Sequence, residues 1–230
     1  MSPRVGRKSL LRRVVDVVSI SVVGIAGLLV LGRVTAGALA RLHDRQAGSL
    51  RPAAFARAIS SGHWLGSRDA PAVLLVYSDY TCGFCAELHE TLKELRRRYP
   101  MHLAVVVKAF AEPSFHATYK VPLGAECANE QNRFLEYHEA AFANGRILSY
   151  SRGWRALADS AQVPDLAEFE LCVQSQRYID KLVSDYEEAE SFGVSATPTM
   201  FVNGSAVVGA VPMAVLDSMV AGQFRARSKR

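Results

Sequence analysis

Two cysteines, Cys82 and Cys85, are separated by two residues in a chain of 230 residues that contains four cysteines. A Cys-x-x-Cys pair can form a reversible disulfide, and its thiolate is the species that attacks another disulfide. The same spacing is also half of a tetrahedral zinc site. The residue types alone therefore leave two chemistries open, thiol–disulfide exchange and metal binding.

The cysteine pair lies between an apolar run, residues 72–76, and a helical pattern that ends at Tyr99 before Pro100. The apolar run is short and rich in Val and Leu, which is typical of a strand buried on both faces. In the second segment, apolar residues recur at helical spacing and three arginines occupy the last turn. We therefore predict that the cysteines sit where a buried strand turns into a helix.

This position predicts different roles for the two thiols. A helix N-terminus presents unpaired N–H groups and about half a positive charge, which favours a thiolate over a thiol. We expect Cys82 to be the nucleophile, because it lies at the helix start. Cys85 follows one turn later and is expected to release a mixed disulfide, so the two form the predicted catalytic, redox-active pair.

A zinc site would need more ligands than this pair. Structural zinc usually has four ligands in two close pairs. The remaining cysteines, Cys127 and Cys172, stand alone, and the sequence has no second Cys-x-x-Cys and no pair of histidines at zinc spacing. We therefore favour the redox pair and expect no metal and no cofactor.

The net charge of +5 hides three differently charged regions. Residues 1–45 carry a net charge of +6 and residues 223–230 carry +4, which leaves −5 for residues 46–224. A mildly acidic globular part does not suit nucleic acid, so we exclude that class of partner. The basic tail at 223–230 is interpreted as a solvated end.

The N-terminal part has the pattern of an export segment. Five basic residues in 1–13 precede a mostly apolar stretch at 14–34, which is long enough to cross a bilayer. We predict a cytoplasmic segment, a transmembrane anchor and a stalk at 35–62 that contains one short helix near 52–59. A cleaved signal is the alternative, because Ala38-Leu39-Ala40 fits the rule for cleavage. Both readings place the domain outside the cytoplasm, where cysteines are expected to pair.

The rest of the domain completes an α/β pattern. A second buried strand at 101–109 makes a β-α-β unit with a parallel pair. Residues 113–192 contain no convincing strand and are predicted to be helical, while Asn203-Gly204 between two strand-like runs predicts a hairpin. A last amphipathic helix begins at Pro212. The helices predicted within the central block are 123–129, 131–143, 151–161, 165–173 and 175–192.

Two motifs and the helical block between them resemble the DsbA-like branch of the thioredoxin-fold disulfide oxidoreductases. The motifs are residues 78–85, around the cysteines, and residues 196–204, which contain Thr197 and Pro198. The likeness covers about residues 63–222. It implies a thioredoxin fold with a helical insertion at about 113–192, between the β-α-β unit and the β-hairpin-α unit.

The resemblance also implies roles for residues outside the cysteine pair. Pro198 matches the family's cis-proline, and the backbone of Thr197 is then free to bind an extended substrate chain by strand addition. Cys127 and Cys172 match positions that pair in some members, which implies a structural disulfide. Two buried free thiols and a catalytic relay are the alternatives.

Four further residues are not assigned to catalysis. The insertion residues His116, Tyr137 and His138 resemble the family pattern and are interpreted as packing or surface residues. Asp79, three residues before Cys82, is interpreted as tuning the thiol or as hydrogen bonding at the strand end.

The direction of electron flow is less well specified. Strong oxidants of the family carry Pro-His between the cysteines, whereas this chain has Gly83 and Phe84, and Thr197 also occurs in isomerase-like members. Against an isomerase, residues 41–62 are too few to form an N-terminal dimerisation domain. We expect a monomeric, membrane-tethered enzyme that oxidises or shuffles cysteines of exported polypeptides and is recycled by a membrane redox partner. An isomerase or reductase, and a non-catalytic chaperone or binding module, are the alternatives.

Overall fold

The computed structural model describes residues 48–112, 119–144 and 153–227 of the chain. The predicted anchor at 14–34 and His116 lie outside the described residues, as do 35–47 of the predicted stalk and 228–230 of the tail. Among the described residues, no helix combines the length and the apolar character needed to cross a bilayer. The strands are β1 (His63–Leu65), β2 (Ala72–Ser78), β3 (Leu103–Ala109), β4 (Thr199–Val202) and β5 (Ser205–Val208). The helices are α1 (Pro52–Ser60), α2 (Gly83–Arg98), α3 (Lys120–Glu130), α4 (Phe134–Asn144), α5 (Gly153–Ser160), α6 (Leu166–Gln174), α7 (Ile179–Ser191) and α8 (Met213–Arg227).

The five strands form one mixed sheet in the order β1-β3-β2-β4-β5. Strands β2 and β3 are parallel, with Ala72 opposite Leu103, and the other neighbouring pairs are antiparallel. Every residue of β2 is buried, as expected for a central strand covered on both faces. The predicted mixed α/β thioredoxin-like fold is confirmed by this sheet and by the helices α3–α7 between β3 and β4.

Part of the predicted stalk packs against the sheet. The predicted short helix is present as α1, and its Ala58 is fully buried in a cluster with Val73, Leu75 and Phe201. Residues 63–65 form the edge strand β1, which pairs with β3. The described residues 48–62 are therefore joined to the sheet by packing, where the sequence predicted a stalk.

The helices α3 and α6 are joined by a disulfide between Cys127 and Cys172. Both cysteines are fully buried, and they lie in the same apolar cluster as Phe169. Since the bond links two helices of the inserted block that are 45 residues apart in sequence, it holds that block together.

A buried lysine on β3 links the sheet to α7. The Lys108 side chain is almost fully buried, and its Nζ lies 2.9 Å from Asp185 Oδ1 and donates a hydrogen bond to Glu188. The hydroxyl of Tyr77 donates to the same Glu188 carboxylate at 2.9 Å. A buried cation is tolerated only when it is paired, and the two carboxylates supply that pairing. This network connects β2 and β3 to α7.

The predicted Asn-Gly hairpin is present as the β4–β5 turn, and Asn203 also fastens this turn to β2. Its Oδ1 accepts from the backbone N–H of Val73 at 2.7 Å, and its Nδ2 donates to the carbonyl of Pro71 at 2.9 Å. Asn203 has a φ of 46° and Gly204 a φ of +92°, values that favour asparagine and glycine.

We expect Asn203→Ala to lower the free energy of unfolding by about 2 kcal/mol, because it leaves the Val73 N–H without its acceptor and places alanine at positive φ. Chemical denaturation measures the change. The control is Asn129→Ala, at an exposed position at the end of α3. Equal stability of both variants would contradict the role given to Asn203.

Candidate active site

The two cysteines occupy the first turn of α2, directly after β2. Cys82 is the N-cap residue, with extended backbone angles, and its carbonyl accepts from the N–H groups of Cys85 and Ala86 at 3.1 and 3.2 Å. The backbone N–H groups of Phe84 and Cys85, in the first turn of the helix, lie beside the Cys82 thiol. In the structure both cysteines are free thiols.

Cys82 is the accessible thiol of the pair. It is partly exposed, and its Sγ lies 3.5 Å from the carbonyl oxygen of Thr197. Burial on its own raises the pKa of Cys82, but hydrogen bonds with the side chain of Thr197 and with the backbone N–H groups of Cys85 and Phe84 outweigh it and hold the pKa below its ordinary value. Cys82 thus carries more thiolate than an ordinary cysteine at neutral pH.

Cys85 has the opposite environment. Its side chain is 1% exposed, and burial raises the pKa of this thiol to about 12, although hydrogen bonds with Ser78 and with the N–H of Asp79 act in the other direction. The Asp79 N–H lies 3.5 Å from Cys85 Sγ. The structure thus places a reactive thiol at the surface and a protonated thiol directly behind it.

Thr197 and Pro198 lie against the cysteine pair from the β4 side. The peptide bond between them is cis, and Pro198 is buried while Thr197 is partly exposed. The Pro198 carbonyl accepts from Gly209 N–H at 2.8 Å, which ties this segment to the end of β5. The carbonyl of Thr197 therefore lies beside Cys82 Sγ, at a distance of 3.5 Å.

Asp79 shapes the turn before the helix. One carboxylate oxygen, Oδ1, accepts from the backbone N–H of Thr81 at 2.7 Å and from its hydroxyl at 2.8 Å. Of the two roles considered for Asp79, these contacts favour hydrogen bonding at the strand end.

The phenyl ring of Phe84, between the two cysteines, is 66% exposed. It has no group that can donate a hydrogen bond to the Cys82 thiolate, so only the backbone N–H of this residue contributes.

We expect Phe84→His to lower the pKa of Cys82 further, because an imidazolium beside a thiolate stabilises it. The disulfide should become more oxidising, with a shift of about 30 mV for a tenfold change in the equilibrium constant. Thiolate absorbance against pH and equilibration with glutathione measure the two effects. The control is Phe84→Leu, which keeps an apolar side chain, and an equal potential in the two variants would contradict this expectation.

A cluster of buried aromatic and histidine side chains behind the pair was not recognised from the sequence. The hydroxyl of Tyr80 lies 3.0 Å from Nδ1 of His138, and the ring of His89 packs edge-on against His138 at 5.0 Å. Tyr137 is fully buried and donates to the carbonyl of Trp154 at 3.2 Å, which is a packing role. The available sequence signal was the position of His89 four residues after Cys85, which puts both on one helix face.

Within residues 48–112, 119–144 and 153–227, no group of three or more His, Cys, Asp or Glu side chains is placed to hold a metal ion.

The chain is similar in sequence to a protein family and to several known proteins. A family model described as thioredoxin matches residues 59–221. A Na(+)/H(+) antiporter NhaA 1 from Mycolicibacterium vanbaalenii is 30% identical over 144 residues, which are 62% of this chain and 23% of that protein. A relative from Rickettsia felis, named for protein-disulfide oxidoreductase activity, is 26% identical over 147 residues, 61% of this chain and 52% of its own length. The match thus spans about a quarter of the antiporter's length and about half of the length of the Rickettsia felis relative.

Among solved structures, oxidised BdbD from Bacillus subtilis has a TM-score of 0.67 and 14% identity, and the match covers 78% of this chain and 98% of BdbD. At this level of identity the likeness shows a shared fold. The expected resemblance to DsbA-like thioredoxin-fold proteins is confirmed.

Proposed function

Because the chain belongs to the thioredoxin family, whose model matches residues 59–221, we propose that it is an extracytoplasmic thiol–disulfide oxidoreductase. In this proposal it forms or exchanges disulfides in exported proteins through the Cys82-Gly83-Phe84-Cys85 pair. Ion transport is not proposed, since the match covers 23% of the antiporter's length.

The observation that carries the proposal is the opposite setting of the two thiols. The partly exposed Cys82 has a lowered pKa, and the buried Cys85 has a pKa raised to about 12. A pair of this kind presents one thiolate to the substrate and keeps a second thiol in reserve for the resolving step. Two structural thiols would not need such an asymmetry.

The geometry supports a balanced two-electron exchange. In the oxidising direction, a substrate thiolate attacks Cys82 of the Cys82–Cys85 disulfide, and Cys85 leaves with the electron pair and takes up a proton. A second substrate thiolate attacks the mixed disulfide, and Cys82 leaves as a thiolate. The substrate has then lost two electrons and gained a disulfide, and the reducing direction is the reverse.

Thr197 and Pro198 are proposed to hold the substrate chain. The Thr197 carbonyl faces Cys82 Sγ at 3.5 Å, and an extended chain that pairs with this backbone would bring its cysteine to the reactive sulfur. The partners proposed are exported cysteine-containing polypeptides and a membrane redox partner that recycles the pair.

Two observations support an extracytoplasmic location. The basic segment and apolar stretch of residues 1–34 have the pattern of an export anchor, with the cleaved signal as the alternative. The structure contains a disulfide between Cys127 and Cys172, and disulfides form and persist in oxidising compartments. We propose a single-pass anchor, a monomeric catalytic domain on the outer side of the cell membrane, and the boundaries 1–13, 14–34, 35–62, 63–222 and 223–230.

A second candidate, an isomerase or reductase of misoxidised proteins, is favoured by Phe84. An exposed phenyl ring cannot stabilise the thiolate as a histidine would, and a less stabilised thiolate makes a weaker oxidant.

The proposal is tested with the soluble domain and a reduced, unfolded model protein in glutathione buffer. We expect the wild-type domain to speed disulfide formation and Cys82→Ser to give the uncatalysed rate. A scrambled model protein measures isomerisation in parallel. Binding of the model protein without any change in its disulfide chemistry would contradict the proposal and favour a non-catalytic binding module.

A further inference from the structure

A small cavity lies between α2 and the sheet, directly behind the cysteine pair. Its volume is about 20 Å³, which is enough for one water molecule. Apolar side chains of the sheet, among them Val76 and Val107, form one wall. The polar residues of its lining are Ser78, Cys85, His89, Lys93, Arg96 and His138.

Four of these polar residues lie on one face of α2. Cys85, His89, Lys93 and Arg96 follow one another at spacings of four, four and three residues, which bring them onto successive turns. Cys85 is 1% exposed, whereas the Lys93 side chain is 37% exposed. These four side chains therefore form a line along the cavity, from the buried thiol to solvent.

The proposed exchange requires a proton to reach and leave Cys85 in every cycle. Burial raises the pKa of Cys85 to about 12, so its thiol does not ionise unaided at neutral pH. Among the described residues the cavity lining includes no carboxylate, and its two histidines are the groups able to accept a proton.

The two histidines differ in their hydrogen bonds. Nδ1 of His138 lies 3.0 Å from the hydroxyl of Tyr80. His89 is buried, with an exposure of 8%. Its Nε2 has no hydrogen-bond partner among the described groups. A buried ring nitrogen without a partner is costly unless water or a proton serves it, so His89 is the histidine free to take part.

We propose that His89, acting through a water molecule in this cavity, moves the proton of Cys85 between the buried thiol and solvent, an inference that rests on the proposed function. In the resolving step the Cys85 thiol gives its proton to the water, which gives one to His89. The Cys85 thiolate attacks Cys82 Sγ, and the substrate sulfur leaves with the electron pair of its bond to Cys82. In the opposite direction the departing Cys85 thiolate receives the proton by the same route.

The groups around His89 keep its imidazole neutral, the form with a free lone pair. The titratable or charged groups that face it are Cys85, Glu90, Lys93 and Arg96 on α2, and His138 on α4. Burial lowers the pKa of His89 to about 4, Glu90 opposes this, and Lys93 and Arg96 add to it. His89 is therefore neutral at physiological pH and holds the proton only in passing.

The test separates the two thiols in one reaction. The protein, with the Cys82–Cys85 pair reduced and the Cys127–Cys172 disulfide intact, is mixed with dithiobis(nitrobenzoate), and the release of nitrothiobenzoate is followed by stopped flow. The first equivalent reports attack by Cys82, and the second reports attack by Cys85 on the mixed disulfide. In wild type the second phase should be nearly independent of pH between about 5 and 8, since His89 is neutral throughout.

The variant is His89→Phe, which keeps the aromatic stack on Phe142 and removes both ring nitrogens. We expect its first phase to be unchanged and its second phase to be about a hundredfold slower at neutral pH. The slowed phase should then rise about tenfold for each pH unit, as an unaided thiol ionises. His89→Asn is the second variant if the first folds poorly, and His102→Phe, at an exposed histidine, is the matched control.

A second phase with wild-type rate and pH dependence in both His89 variants would overturn the inference. Equal slowing at every pH would also overturn it, because a purely structural role changes the rate without changing its pH profile. A wild-type domain that releases one equivalent only would overturn the proposed function itself, and this outcome is distinguishable from the first two.

Discussion

The Cys85→Ser variant is expected to accumulate long-lived mixed disulfides with its substrates, joined through Cys82. The reason is that Cys82 keeps its partly exposed position and its backbone N–H partners, while the thiol that would release the substrate is replaced by a hydroxyl that cannot attack a disulfide. Net turnover should fall to the uncatalysed rate. Non-reducing gels of cells that export the variant, followed by mass spectrometry of the bands, measure the adducts and the cysteine that carries them.

The matched control is Cys82→Ser, which leaves Cys85 as the single thiol of the pair. Cys85 is 1% exposed and its pKa is raised to about 12, so it is both inaccessible and protonated. We expect this variant to form no adducts above background. Adducts through Cys85 that equal or exceed those through Cys82 would reverse the assignment of nucleophile and resolving thiol.

The second large effect is expected when the disulfide between Cys127 and Cys172 is removed. Replacing both cysteines by alanine should lower the free energy of unfolding by about 4 kcal/mol, because the bond closes a loop with a sequence separation of 45 and restricts the unfolded chain. Alanine is the appropriate replacement, since both sulfur atoms lie in an apolar, fully buried site where a serine hydroxyl would need a partner. Urea denaturation of both proteins measures the loss.

The same variant separates a structural disulfide from a catalytic relay. If the bond is structural, Cys82 should react with alkylating reagents at the wild-type rate, and exchange with the model protein should persist below the temperature of unfolding. A variant of unchanged stability that no longer exchanges disulfides would contradict the structural role and favour the relay.

The parts of the fold that local patterns encode were predictable from the sequence. The buried strand β2, the helix α2 and the Asn203-Gly204 turn follow from apolar periodicity, basic residues in a last turn and turn chemistry, each within a few residues. The N-cap position of Cys82 follows from the same local signals. The prediction that Cys82 is the nucleophile and Cys85 the resolving thiol therefore needed no knowledge of tertiary contacts.

Features that depend on distant contacts could not be predicted in this way. The strand β1 has three residues and no period to detect, and the register that makes it a strand is supplied by β3. Lys108 lies in a run interpreted as a buried strand, and its partners Asp185 and Glu188 are more than seventy residues away in sequence. The cavity beside Cys85 requires α2, α4 and the sheet to be assembled before His89 acquires its neighbours.

The measurement that tests the central claim most directly is the reduction potential of the Cys82–Cys85 pair, obtained by equilibrating the soluble domain from about residue 46 with glutathione buffers. We expect a reversible two-electron transition above roughly −300 mV, the limit below which structural disulfides resist reduction. A value near −120 mV would identify a disulfide donor despite Phe84, and a value near or below about −200 mV would identify an isomerase or reductase kept reduced by a membrane partner. A pair that forms no disulfide in any buffer, or one that stays oxidised throughout, would contradict the claim that it exchanges disulfides with substrates.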